Sequence, residues 1–336
     1  RPWAADWSLV MPHRVRQELE EGLYEVELVT EFKKGEMLIG FCDIKGSSHK
    51  TIIFNSNNCH PHMANDGFAG TAVLIRLMQY LSERKNFYSY KLIIAPEHLG
   101  SVFYLAKKSK EDINNMVCGI FEEMPGTNSP IKATSTFLGD QMLDKAIVNA
   151  LQSYTSNHEL VPWREGAGND ETVWEAPGYE IPFIEITRCE QTSRPFREYH
   201  SNLDSPELMQ IQKLEEMLLV LQKAIISIEE NVTISRKFNG LICLSNPIYD
   251  LYMERPDPTI DKDLDKDSEK WGHLLDSFLR YFDGKTSLLD IAIKHNLPFE
   301  RLRKYIQKYK DKGLVSLKRA EIERKKIDFI NTKKVT

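Results

Sequence analysis

The residues 59–67, Cys59-His60-Pro61-His62-Met63-Ala64-Asn65-Asp66-Gly67, hold the densest chemistry in the chain. Imidazole and carboxylate are the ligands a borderline cation such as zinc prefers, and Gly67 permits a tight turn among them. The plainer reading is a solvated turn whose Asp66 caps a following helix. A second group is Ala95-Pro96-Glu97-His98-Leu99-Gly100-Ser101, where Glu97 is a candidate general base for a metal-activated water. Alternatively Glu97 faces the positive end of a helix. A third is Tyr199-His200-Ser201-Asn202-Leu203-Asp204. His200 is a candidate ligand, and Asp204 is placed either to orient its second ring nitrogen or to cap a helix with Pro206 at its first position. In Gly168-Asn169-Asp170-Glu171, either carboxylate adds to such a site, or the tetrapeptide is a surface turn. The remaining histidines, His13, His49, His158, His273 and His295, belong to no constellation and read as surface or structural.

These loops need elements to position them. Buried-strand patterns occur at 51–54, 90–95, 116–121 and 181–186, alternating with helical patterns at 68–84, 140–154 and 206–231. Leu214, Met217, Leu218 and Leu221 lie at helical spacing and read as core. Strands alternating with helices imply an α/β fold with a mixed, mostly parallel sheet flanked by helices. Ligands of such sheets sit in crevices at the carboxyl ends of strands, where His60 and Glu97 fall. This domain is expected over 46–253, preceded at 1–45 by a small β-rich segment in which 24–29 alternates with strand period. The Pro-, Asp- and Lys-rich stretch 254–269 reads as a linker. Beyond it, helical patterns at 274–282, 288–295 and 299–312 and a short strand at 313–317 predict a winged helix-turn-helix over 270–320. The chain from Lys318, including the tail 321–336, is charged and expected to fray.

Composition bounds the rest. The 336 residues are 41% hydrophobic and 28% charged, as in an ordinary globular protein, and the net charge of −5 gives the whole molecule no pull towards nucleic acid or anionic membrane. The 5 cysteines form no CxxC pair, which favours reduced thiols in a cytoplasm over a secreted disulfide framework. No apolar run approaches the roughly 20 residues that span a bilayer. The chain opens Arg1-Pro2-Trp3 without initiator methionine or signal peptide, as expected of a fragment lacking its true N-terminus.

The order His60, Asp66, Glu97, Asp170-Glu171, His200 resembles the co-catalytic zinc aminopeptidases, to which glutaminyl cyclases are related. The HPxxANDxxxG loop (60–70), the PExxGS turn (96–101), the YHxxxD segment (199–204) and the stretch Asp283-Gly284-Lys285 to Ile291-Ala292 look like a narrower bacterial group. Its members are aminopeptidase-like proteins associated with polysaccharide biosynthesis. The resemblance runs over nearly the full length and implies a zinc-peptidase-like fold, a small β-rich insert and a C-terminal winged helix. It also implies His60 and His200 as terminal zinc ligands, Asp66 as the metal-bridging aspartate and Glu97 as catalytic base. Asp170 or Glu171 would be the carboxylate near the substrate's amino end.

Two departures stand out. The family has His-x-Asp where this chain has His60-Pro61-His62, and two adjacent glutamates where it has Glu97-His98. Loss of two carboxylates points to one firm zinc on His60, Asp66 and His200, with any second ion relying on His62 and His98. The implied activity is hydrolysis of a small peptide or amide, with a catalytically silent protein acting through its winged helix as the alternative. The helix expected at 299–312 carries Arg301, Arg303, Lys304, Lys308, Lys310 and Lys312 against Glu300 and Asp311, which suits DNA phosphates. The acidic chain and the lack of a second DNA-contacting arm favour a packing or protein-interaction role. Expected partners are the substrate, a homo-oligomer contact and, less favoured, nucleic acid, with no membrane.

Overall fold

The structure, a computed structural model, describes residues 8–253 and 268–324. The chain divides into two units, Arg1–Glu36 and Met37–Thr336. In the described part of the first, α1 (His13–Glu18) is the one regular element and none of its residues is buried. Residues 24–29, expected to be a strand, are not one, and 8–39 hold no strand at all. The alternation of Val and Leu with Glu is there, but an extended segment without a hydrogen-bonded neighbour has no ladder to make it a strand.

The second unit is built on β1 (Gly40–Ile44), β2 (Thr51–Asn57), α2 (Gly70–Ser82), β3 (Ser89–Ala95), α3 (Leu99–Ala106), α4 (Lys110–Asn115) and β4 (Met116–Glu123). β5 (Ile131–Thr134), α5 (Met142–Tyr154), β6 (His158–Val161), α6 (Glu171–Trp174), β7 (Phe183–Arg188) and α7 (Ile211–Glu229) follow. Seven strands form one sheet in the order β1-β3-β2-β4-β7-β5-β6. The central β3-β2-β4-β7 run is parallel, while β1 pairs antiparallel to β3 and β5 antiparallel to β7. The expected mixed, mostly parallel sheet is therefore present.

Period-two side chains sort the core. Ile52 and Phe54 of β2 face one cluster with Val73, Leu74, Leu77 and Leu81 of α2 and with Met217, Leu221 and Ile225 of α7. Ile53, between them, faces the other cluster with Tyr104 of α3, Trp174 of α6 and Phe183 of β7. Both faces are covered by helices, which is why these strands are apolar on both sides. The Trp174 ring stacks on Phe183 at 4.9 Å, and its indole N–H donates to Asn55 Oδ1 at 2.8 Å.

The chain after α7 does not form a detached module. β8 (Val232–Arg236) lies inside the stretch expected to belong to the α/β domain, yet it is the middle strand of a separate antiparallel sheet, β10-β8-β9. Its partners are β9 (Asp283–Ser287) and β10 (Val315–Arg319), and three helices accompany it: α8 (Ser268–Ser277), α9 (Leu288–His295) and α10 (Phe299–Asp311). Leu288, Leu289, Ile291, Leu302 and Ile306 share one hydrophobic cluster with α5 and α7. Of the expected linker, 254–267 lies outside the described residues, and Ser268 already begins α8. Lys318 and Arg319 do not fray but complete β10. The chain beyond them is held too: Ile322 N–H donates to the Tyr88 hydroxyl at 2.8 Å, and Arg324 Nη1 reaches the carbonyls of Ile113 and Met116 at 2.6 and 2.9 Å. The tail from 325 lies outside the described residues. No helix among them is long and apolar enough to cross a membrane.

One side chain bridges the two sheets' helices. Buried Asn149 of α5 donates through Nδ2 to Leu297 C=O at 2.8 Å and accepts from Phe299 N–H at 3.0 Å. Asn149→Ala leaves both backbone groups unpaired and buried, so stability should fall by about 2 kcal/mol. Urea unfolding should remain a single transition with a lower midpoint; an unchanged midpoint would contradict the bridge.

Candidate metal centre

The loop that leaves β2 is held from within and from afar. The sulfur of buried Met63 accepts from the N–H groups of Cys59 and His60, each at 3.3 Å. Gly67 has φ +116°, a conformation that calls for glycine, and a Cβ there would also displace the Met63 methyl, 2.1 Å away. Asn65 Oδ1 accepts from Gly126 N–H at 2.8 Å, tying the loop to the end of β4.

The distant anchor is Asp204. Its buried carboxylate accepts from the N–H groups of Ala64 at 3.2 Å, Asn65 at 2.9 Å and Asp66 at 3.0 Å. This corrects both expectations for Asp204, which neither orients the His200 ring nor caps the helix beyond Pro206. Consecutive N–H groups turned to one point make a nest that a carboxylate fills, and a buried carboxylate with three donors is satisfied there. The residues 200–204 are thereby fastened to 64–66, and His200, at φ +54°, is carried in beside Asp66. Its ring stacks on Tyr199, centroids 3.8 Å apart and planes within 16°.

Three predicted ligands come together. Asp66 Oδ2 lies 3.6 Å from His60 Nε2 and 3.3 Å from His200 Nε2, and one ligand atom from each residue lies within 4.8 Å of the others. The imidazole rings meet edge to face with centroids 5.5 Å apart. Among the described residues this is the one such group of three or more His, Cys, Asp or Glu. Asp66 is only 5% exposed, and its Oδ2 has no hydrogen-bond donor. Burial raises its pKa, against the pull of the two histidines. A buried carboxylate oxygen without a donor, facing two ring nitrogens, matches the donor set of a zinc site with an open position.

The other predicted residues are placed differently. Glu97 is exposed just after β3, and its negative charge raises the pKa of Asp66 and of Cys59, so it lies within electrostatic reach of the group. His98 sits at φ +54° with an exposed side chain, while its N–H donates to Asp170 Oδ1 at 2.6 Å. The second oxygen of Asp170 receives the Ser101 hydroxyl. Glu171 pairs with Arg164 at 2.7 Å and accepts from Asn169 N–H at 2.7 Å. Both carboxylates are fully buried and already held by protein groups. Exposed His62, at φ +59°, lines a cleft with Phe68, Pro206 and the anchor Asp204 and is not in the ligand group.

Glu123 was missed. It ends β4, is 2% exposed, and accepts from Asn57 Nδ2 at 3.3 Å and Asn169 Nδ2 at 3.1 Å. Burial pushes its carboxyl well above the ordinary range, with the charges of Glu185, Asp66 and Glu97 acting in the same direction. The available signal was positional, since Glu122-Glu123 follow the apolar run 116–121 just as His60 and Glu97 follow theirs. Glu122, also fully buried, has no hydrogen bond on either oxygen.

Comparison with known proteins gives a consistent frame. A family model described as a domain of unknown function, DUF4910, matches residues 4–231. A curated relative from Clostridium acetobutylicum, provisionally named a polysaccharide biosynthesis protein with aminopeptidase-like domain, is 26% identical over 307 residues. The match covers 89% of this chain and 66% of that protein. A crystal structure of a provisionally described peptidase from Clostridium acetobutylicum is similar at 25% identity and TM-score 0.68, over 83% of this chain and 60% of that one. A zinc aminopeptidase from Bacillus subtilis is similar at 16% identity and TM-score 0.49, over 56% of this chain and 49% of that one. The chain thus spans less than two thirds of the length of these proteins.

Two outcomes follow from the anchoring and from the buried acids. Asp204→Ala orphans three buried N–H groups, so it should cost about 3 kcal/mol and strip hydrogen-exchange protection from the amides of 64–66; intact protection would refute the anchor. Glu185, whose carboxyl burial pushes up from 4.5 to about 8, contributes stability that is complete below its unfolded value and is lost as pH rises through the folded one. Between about pH 4.5 and 8, Glu185→Gln should therefore flatten the decline in urea midpoint seen for the unsubstituted chain; parallel curves would remove Glu185 from the account.

Proposed function

The chain belongs to the DUF4910 family, and from that premise we propose that it is a zinc-dependent hydrolase of the aminopeptidase-like class, acting on a small peptide or amide. The observation that carries the reading is the convergence of His60, Asp66 and His200 around the donor-free oxygen of Asp66. Zinc held there supplies a Lewis acid for the scissile carbonyl and lowers the pKa of water. The two imidazoles and Asp66 hold the ion. Glu97, exposed at the rim, takes a proton from water and returns it to the leaving amine. Buried Glu123 lies within electrostatic reach of Asp66, and a cation at the centre would favour its ionised form.

One zinc per chain is the favoured stoichiometry. His62 and His98 stand outside the ligand group, and the Asp170 and Glu171 carboxylates are engaged by Ser101 and by Arg164. We assign those two acids to positioning the 97–101 and 164–171 turns rather than to contact with substrate. A cytoplasmic setting fits the 5 free thiols.

The three helices and antiparallel sheet of β8, β9 and β10 we read as a winged helix used for packing. Three of the six cations along its basic helix are already engaged: Arg303 with Glu230 at 3.7 Å, Lys304 with Glu300 at 3.3 Å, and Lys312 with the Ile248 carbonyl at 3.1 Å. Such charges are poorly placed to hold DNA phosphates.

Elemental analysis of the purified chain should find one zinc, absent in His200→Ala. Glu97→Gln should retain the zinc and hydrolyse a chromogenic peptide amide about 100-fold or more slowly. A chain without zinc, or zinc that survives His200→Ala, would overturn the proposal.

A further inference from the structure

The sheet carries a second concave site at its other end. A cavity of about 500 Å³ is walled by Thr51, Ser89 and Met116, which open β2, β3 and β4. The metal centre follows the carboxyl ends of these same parallel strands. A strand of seven residues, such as β2, is roughly 23 Å long, so the two sites share neither residues nor solvent space.

The wall of this cavity is cationic. Lys45, Lys91 and Lys108 line it, against one acid, Asp112. Asp112 Oδ2 accepts from the Ser109 N–H at 3.1 Å and hydroxyl at 2.8 Å in the capping box of α4, and its charge faces Lys108 and Lys91. Lys91 pairs with Asp43, which is outside the lining. Lys108 has its ammonium 4.4 Å from the Tyr104 ring centroid, and exposed Lys45 has no carboxylate partner among the described residues. Lys45 is thus left without a counter-charge, and three lysines outnumber the acids that face them. The Ser89 hydroxyl is spent on the Ser48 carbonyl at 2.8 Å.

A second, independent observation points to a ligand. Tyr104 is 6% exposed and lines this cavity, yet its hydroxyl has no hydrogen-bond partner. Buried hydroxyls are rarely left so, because the unmade bond is costly. A ligand with several acceptor oxygens and about two negative charges would answer both the orphan hydroxyl and the excess of lysine charge. A phosphate group has that composition, and the volume is that of a small-molecule site.

We propose that this cavity binds the phosphate group of a small phosphorylated solute, through Lys45, Lys108 and the Tyr104 hydroxyl. The site stands apart from the proposed hydrolytic activity, and neither depends on the other.

The test titrates inorganic phosphate into the full chain by calorimetry and follows the ³¹P line width. Saturable binding is expected, weakened roughly tenfold by the Lys45→Ala, Lys108→Ala pair. Tyr104→Phe should weaken it several-fold, and His200→Ala should leave it unchanged. Lys45→Glu, a change at an exposed position, serves as a second variant should the pair fail to fold, and it should abolish the heat. No binding at millimolar phosphate overturns the proposal, as does binding that survives Lys45→Glu. Binding lost in His200→Ala does so too, by placing the anion at the metal centre.

Discussion

The candidate metal centre depends on one carboxylate accepting three backbone hydrogen bonds. Asp204 lies 138 to 140 residues along the chain from the N–H groups of 64–66 that it binds. Without it those amides would be buried and unpaired, and the turn that carries His200 would lose its tie to 64–66. The cap works because the loop is already bent into a nest by Gly67 and by the sulfur of Met63. The anchor fixes backbone, not ligands, which leaves the Asp66 side chain free to face the two histidines.

The parallel sheet supplies the other half of the arrangement. Parallel strands bring their carboxyl ends to one edge, so the segments after β2, β3 and β4 deliver His60, Glu97 and Glu123 to a common region. Several acids are concentrated there, and burial keeps their carboxyls protonated to higher pH than usual. Glu123, Asp170, Glu171 and Glu185 are all raised in this way. Ionising them together would set like charges against one another, and a divalent cation would offset that cost. The amino ends of the same strands have the opposite electrostatic character, with lysines where the other edge has acids. One sheet thus gathers acids beyond one end of its strands and lysines beyond the other.

The C-terminal helices are joined to this sheet rather than tethered to it. Asn149 and Asn231 each pair with backbone groups of the C-terminal unit, and Lys145 meets Asp290 at 2.6 Å. A shared apolar core with buried, satisfied polar bridges makes relative motion costly. The bridging also explains why a boundary drawn at a change in composition misses β8, which follows α7 directly but pairs with β9 and β10.

Local pattern alone determined much of the molecule. Buried runs of Ile, Val and Phe, and apolar residues at helical spacing, marked the central strands and the α2, α5, α7, α9 and α10 helices. The strand-end rule marked His60 and Glu97, imidazole and carboxylate chemistry made Asp66 and His200 candidates, and the resemblance to zinc aminopeptidases joined His60, Asp66 and His200 into one ligand set; these are the residues that meet. What pattern could not decide were properties of pairing and enclosure. Residues 24–29 alternate correctly but have no ladder. Asp204 carries a cap's chemistry, but its acceptors lie far off in the chain. Asp170 and Glu171 have the right groups, yet Ser101, His98, Arg164 and Asn169 occupy them. Glu123 is an ordinary strand-end acid until folding brings it beside Asp66. The reason is physical: periodicity records which face of an element avoids water, whereas a side chain's partners are set by long-range contacts that tertiary structure alone creates.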